Sequence, residues 1–175
     1  MKRNIIQSPS FWLYAQLAAL MAGNYVGWST IFKEIRSYCE SEGGRFGALL
    51  SFSGTAEKNP LLTPCFWGSI AFLIAFAWTI SIIMEKEQNK KQSSHKKIVI
   101  LLAGGTLFAL VNNLPIFYKY LTQPKGQILS CSADKITNPW VTSCFLGFTA
   151  FALSLLASVL AMKTFAHIKN TPPQD

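Results

Sequence analysis

The stretch GALLSFSGTAEKNPLLTPCFWGSIAF, residues 47–72, decides the reading, because it returns as GQILSCSADKITNPWVTSCFLGFTAF at residues 126–151. Laid together without a gap at an offset of 79, the two share 12 identities in 26 positions. Asn59-Pro60 falls on Asn138-Pro139, Thr63 on Thr142, Cys65 on Cys144, Phe66 on Phe145, Gly68 on Gly147 and Ala71-Phe72 on Ala150-Phe151. Apolar composition alone does not put an Asn, a Pro, a Cys and several Gly and Ser anchors in one frame. The chain therefore reads as a duplicated unit. Each copy is an apolar segment, a polar loop, and then Asn-Pro-x-x-Thr-x-Cys-Phe-x-Gly opening a second apolar segment.

Working outward, the apolar residues are blocked rather than spread. Of 175 residues, 50% are hydrophobic and 14% charged, against about 25% charged in soluble domains. Four runs, near Phe11–Phe32, Leu61–Met84, Ile98–Leu121 and Val141–Met162, reach the roughly 20 residues that cross a bilayer. The expected fold is an all-α integral membrane protein. Its four transmembrane helices form two tandem hairpins, residues 1–84 and 98–165, related by an approximate two-fold axis along the membrane normal. A cytoplasmic linker, residues 85–97, joins them, and residues 166–175 form a cytoplasmic tail. Phe11–Phe32 reads as a retained helix rather than a signal peptide: the run is too long, and Leu20 occupies the place where a cleavage site needs a small residue.

The net charge of +8 is a topology signal and not a nucleic-acid footprint, which would need its cations clustered on one face. Lys and Arg number 2, 5 and 2 in the N-terminus, linker and tail, and 4 and 3 in the two other loops. The five in the short linker place it, and both termini, on the cytoplasmic side of an inner or plasma membrane. Trp28, Trp67 and Trp140 then fall at the outer interface and Trp12 at the inner one. Asn24 and Asn112-Asn113 lie at membrane depth, where polar side chains face the bundle interior. Pro115 is expected to bend or end the third helix. Asn59-Pro60 and Asn138-Pro139 are expected to cap and open the second and fourth, with Asn at the N-cap and Pro in the first turn.

Cys39, Cys65, Cys131 and Cys144 all map to the outer side, where thiols are normally oxidised. Pairing within each copy gives Cys39–Cys65 and Cys131–Cys144, two staples that tie each loop to the helix after it. Each would stabilise by about 2–4 kcal/mol. Cys65–Cys144 across the two-fold axis is the competing pairing, and it needs Cα atoms within about 7 Å. His95 and His167 fall on the opposite side, so no Cys/His metal site is expected. The leading functional expectation is a non-enzymatic structural or accessory subunit that binds a membrane or extracytoplasmic protein partner through its stapled outer face. No cofactor is called for, and the lipid bilayer is the other partner. A small-solute or lipid carrier is a further class, in which Asn24 and Asn112 would matter and the cysteines would not.

In layout, with four helices, inward termini and two outward loops carrying a cysteine pair each, the chain resembles the disulfide-generating quinone reductases of the DsbB type, and in outline the vitamin K epoxide reductases. The resemblance implies that one cysteine pair oxidises a thioredoxin-like protein and the other passes electrons to a quinone at the helix tops. Cys65 or Cys144 would then face the quinone. Arg36, Arg45 or Lys135 would stabilise a thiolate. Those families carry a Cys-x-x-Cys and this chain has none, so the resemblance is one of layout.

Overall fold

In the computed structural model the described residues are 8–41, 59–122 and 138–170. They form four long helices: α1 (Pro9–Ser41), α2 (Pro64–Met84), α3 (Gln88–Thr122) and α4 (Ser143–Asn170). No strand occurs among the described residues. Each helix packs mainly on two others: α1 on α2 and α4, and α3 on α4 and α2. The order around the bundle is thus α1–α2–α3–α4. Residue pairs between α1 and α2 run antiparallel, as Gly27 opposes Ser69 and Gln16 opposes Thr79. Between α2 and α4 they run parallel, as Cys65 meets Cys144 and Phe72 meets Phe151.

Three helices are long and apolar enough to cross a membrane: Pro64–Met84, Asn89–Thr122 and Ser143–Ala166, with mean hydropathy 2.0, 1.8 and 2.1. Only 28%, 17% and 33% of their apolar windows are buried in the bundle. The remainder, including Leu73 and Ile74 on α2, Leu107, Val111 and Leu114 on α3, and Leu153 and Leu156 on α4, faces outward. An apolar surface on that scale is compatible with lipid and foreign to a water-soluble monomer. The fourth expected span is not among the three. Gln16, Asn24, Tyr14, Tyr25 and two glycines dilute α1 below that hydropathy, although it is 33 residues long and packed along the same bundle.

Four local expectations need correction. The linker 85–97 shrinks to Glu85–Glu87, because α3 starts at Gln88. That run has neither Gly nor Pro, and its first turn is supported by an exposed Glu87–Lys90 ion pair at 2.8 Å. Pro115 does not end α3; the helix continues to Thr122 and accommodates the proline on an exposed face. At the bundle ends, α1 carries on through Lys33 to Ser41, into the expected first loop, and α4 carries on to Asn170, into the expected tail. Finally, His95, expected in a solvated linker, is fully buried.

The core runs along the bundle axis through Leu13, Leu20, Phe72, Ile82, Leu102 and Phe151. Phe72 and Phe151 stack with ring centroids 3.8 Å apart and planes inclined by 22°. Glycines make room for them. A Cβ on Gly23 would overlap the Phe72 ring, and one on Gly105 would come within 2.6 Å of the Phe151 ring.

Candidate functional site

The Asn-Pro motif builds the same helix entrance twice. Asn59 Oδ1 accepts from Leu61 N at 2.9 Å, and Asn138 Oδ1 accepts from Trp140 N at 3.0 Å. Each cap opens a one-turn 3-10 helix, Pro60–Leu62 and Pro139–Val141. A threonine then caps the α-helix that follows. Thr63 Oγ1 donates to Pro60 O at 2.7 Å and accepts from Phe66 N at 3.3 Å; Thr142 Oγ1 donates to Pro139 O at 2.9 Å and accepts from Phe145 N at 3.3 Å. Thr and Asn are good caps because a short side-chain oxygen reaches the open N–H groups of the first turn. Two stacked caps hold each cysteine in the first turn of α2 or α4.

The two entrances meet at the bundle axis. Cys65 Sγ lies 3.2 Å from Cys144 Sγ. A disulfide would need about 2.05 Å, so the sulfurs are in contact without a bond. Of the four cysteines of the sequence reading, the structure therefore brings together the pair that crosses between hairpins. Cys39 lies near the end of α1, but its side chain is outside the described residues, as is Cys131. The two expected staples, Cys39–Cys65 and Cys131–Cys144, therefore each involve a cysteine outside the described residues.

Below the sulfurs is a cleft of about 60 Å³. Its floor is the Phe72–Phe151 stack, and Phe108, Phe148, Gly68 and Asn113 contribute to its walls. Gly68 keeps one wall low, since a Cβ there would meet nothing within 4 Å. Asn113 is 3% exposed, and its amide donates to Ala109 O at 2.7 Å and to Cys144 O at 3.1 Å. Its Oδ1 is buried and has no hydrogen-bond partner among the described residues. Asn112, its neighbour, stays within its own helix, donating to Phe108 O at 2.8 Å. Asn24 donates to Leu20 O at 3.0 Å and across to Phe72 O at 3.1 Å. At the rim, Thr30 Oγ1 and Ser143 Oγ lie 2.8 Å apart and join α1 to α4. Trp140 packs edge-on against Phe117 and Phe145, both at 5.0 Å, at the same end of the bundle.

A second polar layer lies on the other side of the aromatic floor. Gln16 Nε2 donates to Thr79 Oγ1 at 2.9 Å, tying α1 to α2. His95 Nε2 lies 2.9 Å from Ser158 O and 3.1 Å from Ser158 Oγ, tying α3 to α4. A carbonyl only accepts, so Nε2 carries the hydrogen and Nδ1 is left as a buried acceptor. Both contacts span 63 residues, and adding 79 to Gln16 and Thr79 gives His95 and Ser158. Reading the sequence by motif missed this layer; carrying the 79-residue offset beyond the matched window would have found it. Among the described residues no cluster of three or more His, Cys, Asp or Glu is placed to hold a metal.

Set against known proteins, the chain matches no family model, no curated protein and no solved structure.

Proposed function

We propose that this is a multi-pass membrane thiol–disulfide protein in which Cys65 and Cys144 form a reversible dithiol–disulfide couple. The observation that carries the reading is the 3.2 Å contact between two sulfurs that belong to different hairpins and line one cleft. When the pair is oxidised, two S–H bonds break and one S–S bond forms; two electrons and two protons leave. A membrane quinone is the acceptor in this reading and becomes the quinol. The resulting disulfide is reduced again by exchange with the dithiol of an extracytoplasmic protein, which becomes oxidised. Cys39 and Cys131 are the second couple in this reading and relay between that partner and the Cys65–Cys144 pair.

The same reading takes α1 as a fourth span, with the termini cytoplasmic and the cysteine end outward, in an inner or plasma membrane. It takes the hairpins as tandem copies. Support for the copies comes from the 12 matches in 26 positions, the twice-built helix entrances and the paired layers Gln16–Thr79 and His95–Ser158.

A second reading, an accessory subunit that docks a protein on its outer end, is favoured by exposed Trp67, Trp140 and Val141 around the helix entrances. The two separate in one assay. Membranes carrying the protein are given a short-chain quinone and a reduced thioredoxin-like protein, and quinol formation is followed. We expect turnover that Cys65→Ser and Cys144→Ser each abolish without loss of folded protein. Absence of turnover with all four cysteines intact contradicts the redox reading and leaves the accessory subunit.

A further inference from the structure

We propose that the cleft above Phe72 and Phe151 admits a small hydroperoxide, of hydrogen peroxide size, and that Cys144 and Cys65 reduce it. This rests on the dithiol reading and adds an activity to it. Three features of the cleft point to the same ligand.

The first is size and charge. A volume of about 60 Å³ exceeds the roughly 10–15 Å³ that one water needs, so a molecule of hydrogen peroxide size fits. None of the side chains lining the cleft is charged, and a charge without a partner there would be costly. The ligand is small, neutral and polar.

The second is Asn113. It is buried, it lines the cleft, and both its amide hydrogens are engaged by Ala109 O and Cys144 O. Its Oδ1 has no partner among the described residues. A buried acceptor left empty costs about 1–3 kcal/mol, so the ligand that belongs here brings a donor. A hydroperoxide has an O–H; a quinone carbonyl and a disulfide have none. Because the Asn113 amide is bonded to the carbonyl of Cys144, the acceptor is held beside that cysteine. This assigns Cys144 as the attacking thiol.

The third is the second sulfur. Attack by Cys144 on one peroxide oxygen forms an S–O bond and breaks the O–O bond. The other oxygen leaves as water, taking the thiol proton. Cys144 is then a sulfenic acid, and such groups condense with a neighbouring thiol. Cys65, whose sulfur is 3.2 Å away, attacks the sulfenic sulfur; the S–S bond forms and a second water leaves. One peroxide is reduced by two electrons and one dithiol is oxidised by two.

The test uses the full chain, reduced, in quinone-free detergent micelles under anaerobic conditions. Hydrogen peroxide is added, its consumption is followed, and the cysteines are mapped by peptide mass spectrometry. Oxidation is expected to outpace that of glutathione by about tenfold or more, given a site that binds and orients the peroxide. One peroxide should be consumed per Cys65–Cys144 disulfide, and Cys65→Ser should let a dimedone adduct form on Cys144. Asn113→Leu should slow the hydrogen peroxide reaction about tenfold, the worth of one hydrogen bond. If that variant fails to fold, the rate of the wild-type protein against that of glutathione still decides. A rate equal to that of glutathione overturns the inference. If a short-chain quinone links Cys65 to Cys144 and hydrogen peroxide does not, the inference falls and the dithiol reading stands. If neither oxidant links them, both fall.

Discussion

His95 shows how far a single residue is legible. It stands in a run of Lys, Gln and Ser, which by composition is a solvated loop, and yet it is 0% exposed. The decisive fact is long-range: α4 presents the carbonyl and hydroxyl of Ser158 to Nε2, and Phe165 lies 5.9 Å from the ring. Its counterpart, Gln16, makes the same kind of contact with Thr79. An uncharged donor is therefore what this layer needs. His95→Gln is expected to change stability by no more than about 0.6 kcal/mol, the average of interhelical hydrogen bonds in membranes. His95→Lys, which buries an ammonium with no acidic partner, should cost several kcal/mol. Denaturant unfolding in micelles measures both, and equal damage from the two would contradict this account. Asn113 was legible as an inward-facing polar residue, whereas its bond to the Cys144 carbonyl depends on how α3 and α4 dock.

Helix starts were the most readable elements, because their causes are local. An Asn followed by Pro, and a Thr three residues after that Pro, leave little choice of where N–H groups find acceptors. The finer division into a 3-10 turn capped by Asn and an α-helix capped by Thr depends on geometry that spacing does not convey. Helix ends were less readable. The linker 85–97 and the segment after Lys33 are polar, and polarity does not tell an exposed helix from a loop; neither 85–97 nor 33–41 holds a Gly or Pro. Pro115 is the reverse case, a breaker that the surrounding helix tolerates.

Gly104 and Gly105 give a prediction at this scale. A Cβ on Gly105 would press on the Phe151 ring at 2.6 Å, and one on Gly104 would meet nothing within 4 Å. Gly105→Leu should therefore destabilise the bundle by about 1–3 kcal/mol through overpacking, and Gly104→Leu should be near neutral. Thermal unfolding of the two variants side by side checks this; similar losses would mean that α3 is rotated from the orientation described.

At the scale of the whole molecule, the blocked apolar residues made long apolar helices, compatible with a bilayer, readable from composition. Three helices meet the length and hydropathy a span requires; in α1, Gln16, Asn24 and the glycines that let it pack closely on α2 lower the hydropathy. The 79-residue match pointed to the competing pairing: residues it aligns approach each other, as Cys65 and Cys144 do at 3.2 Å and Phe72 and Phe151 do at 3.8 Å. The within-copy staples involve Cys39 and Cys131, whose side chains lie outside the described residues. In the function proposed above, the two hairpins meet through a reactive cysteine pair. Its most direct test is the cysteine connectivity of protein trapped by acid, alkylated and mapped by mass spectrometry across a graded glutathione series. The expected result is a Cys65–Cys144 disulfide that opens at about −200 mV, in the range of exchangeable couples. Cys39–Cys65 and Cys131–Cys144 disulfides that both resist reduction below about −300 mV, as structural bonds do, would contradict it.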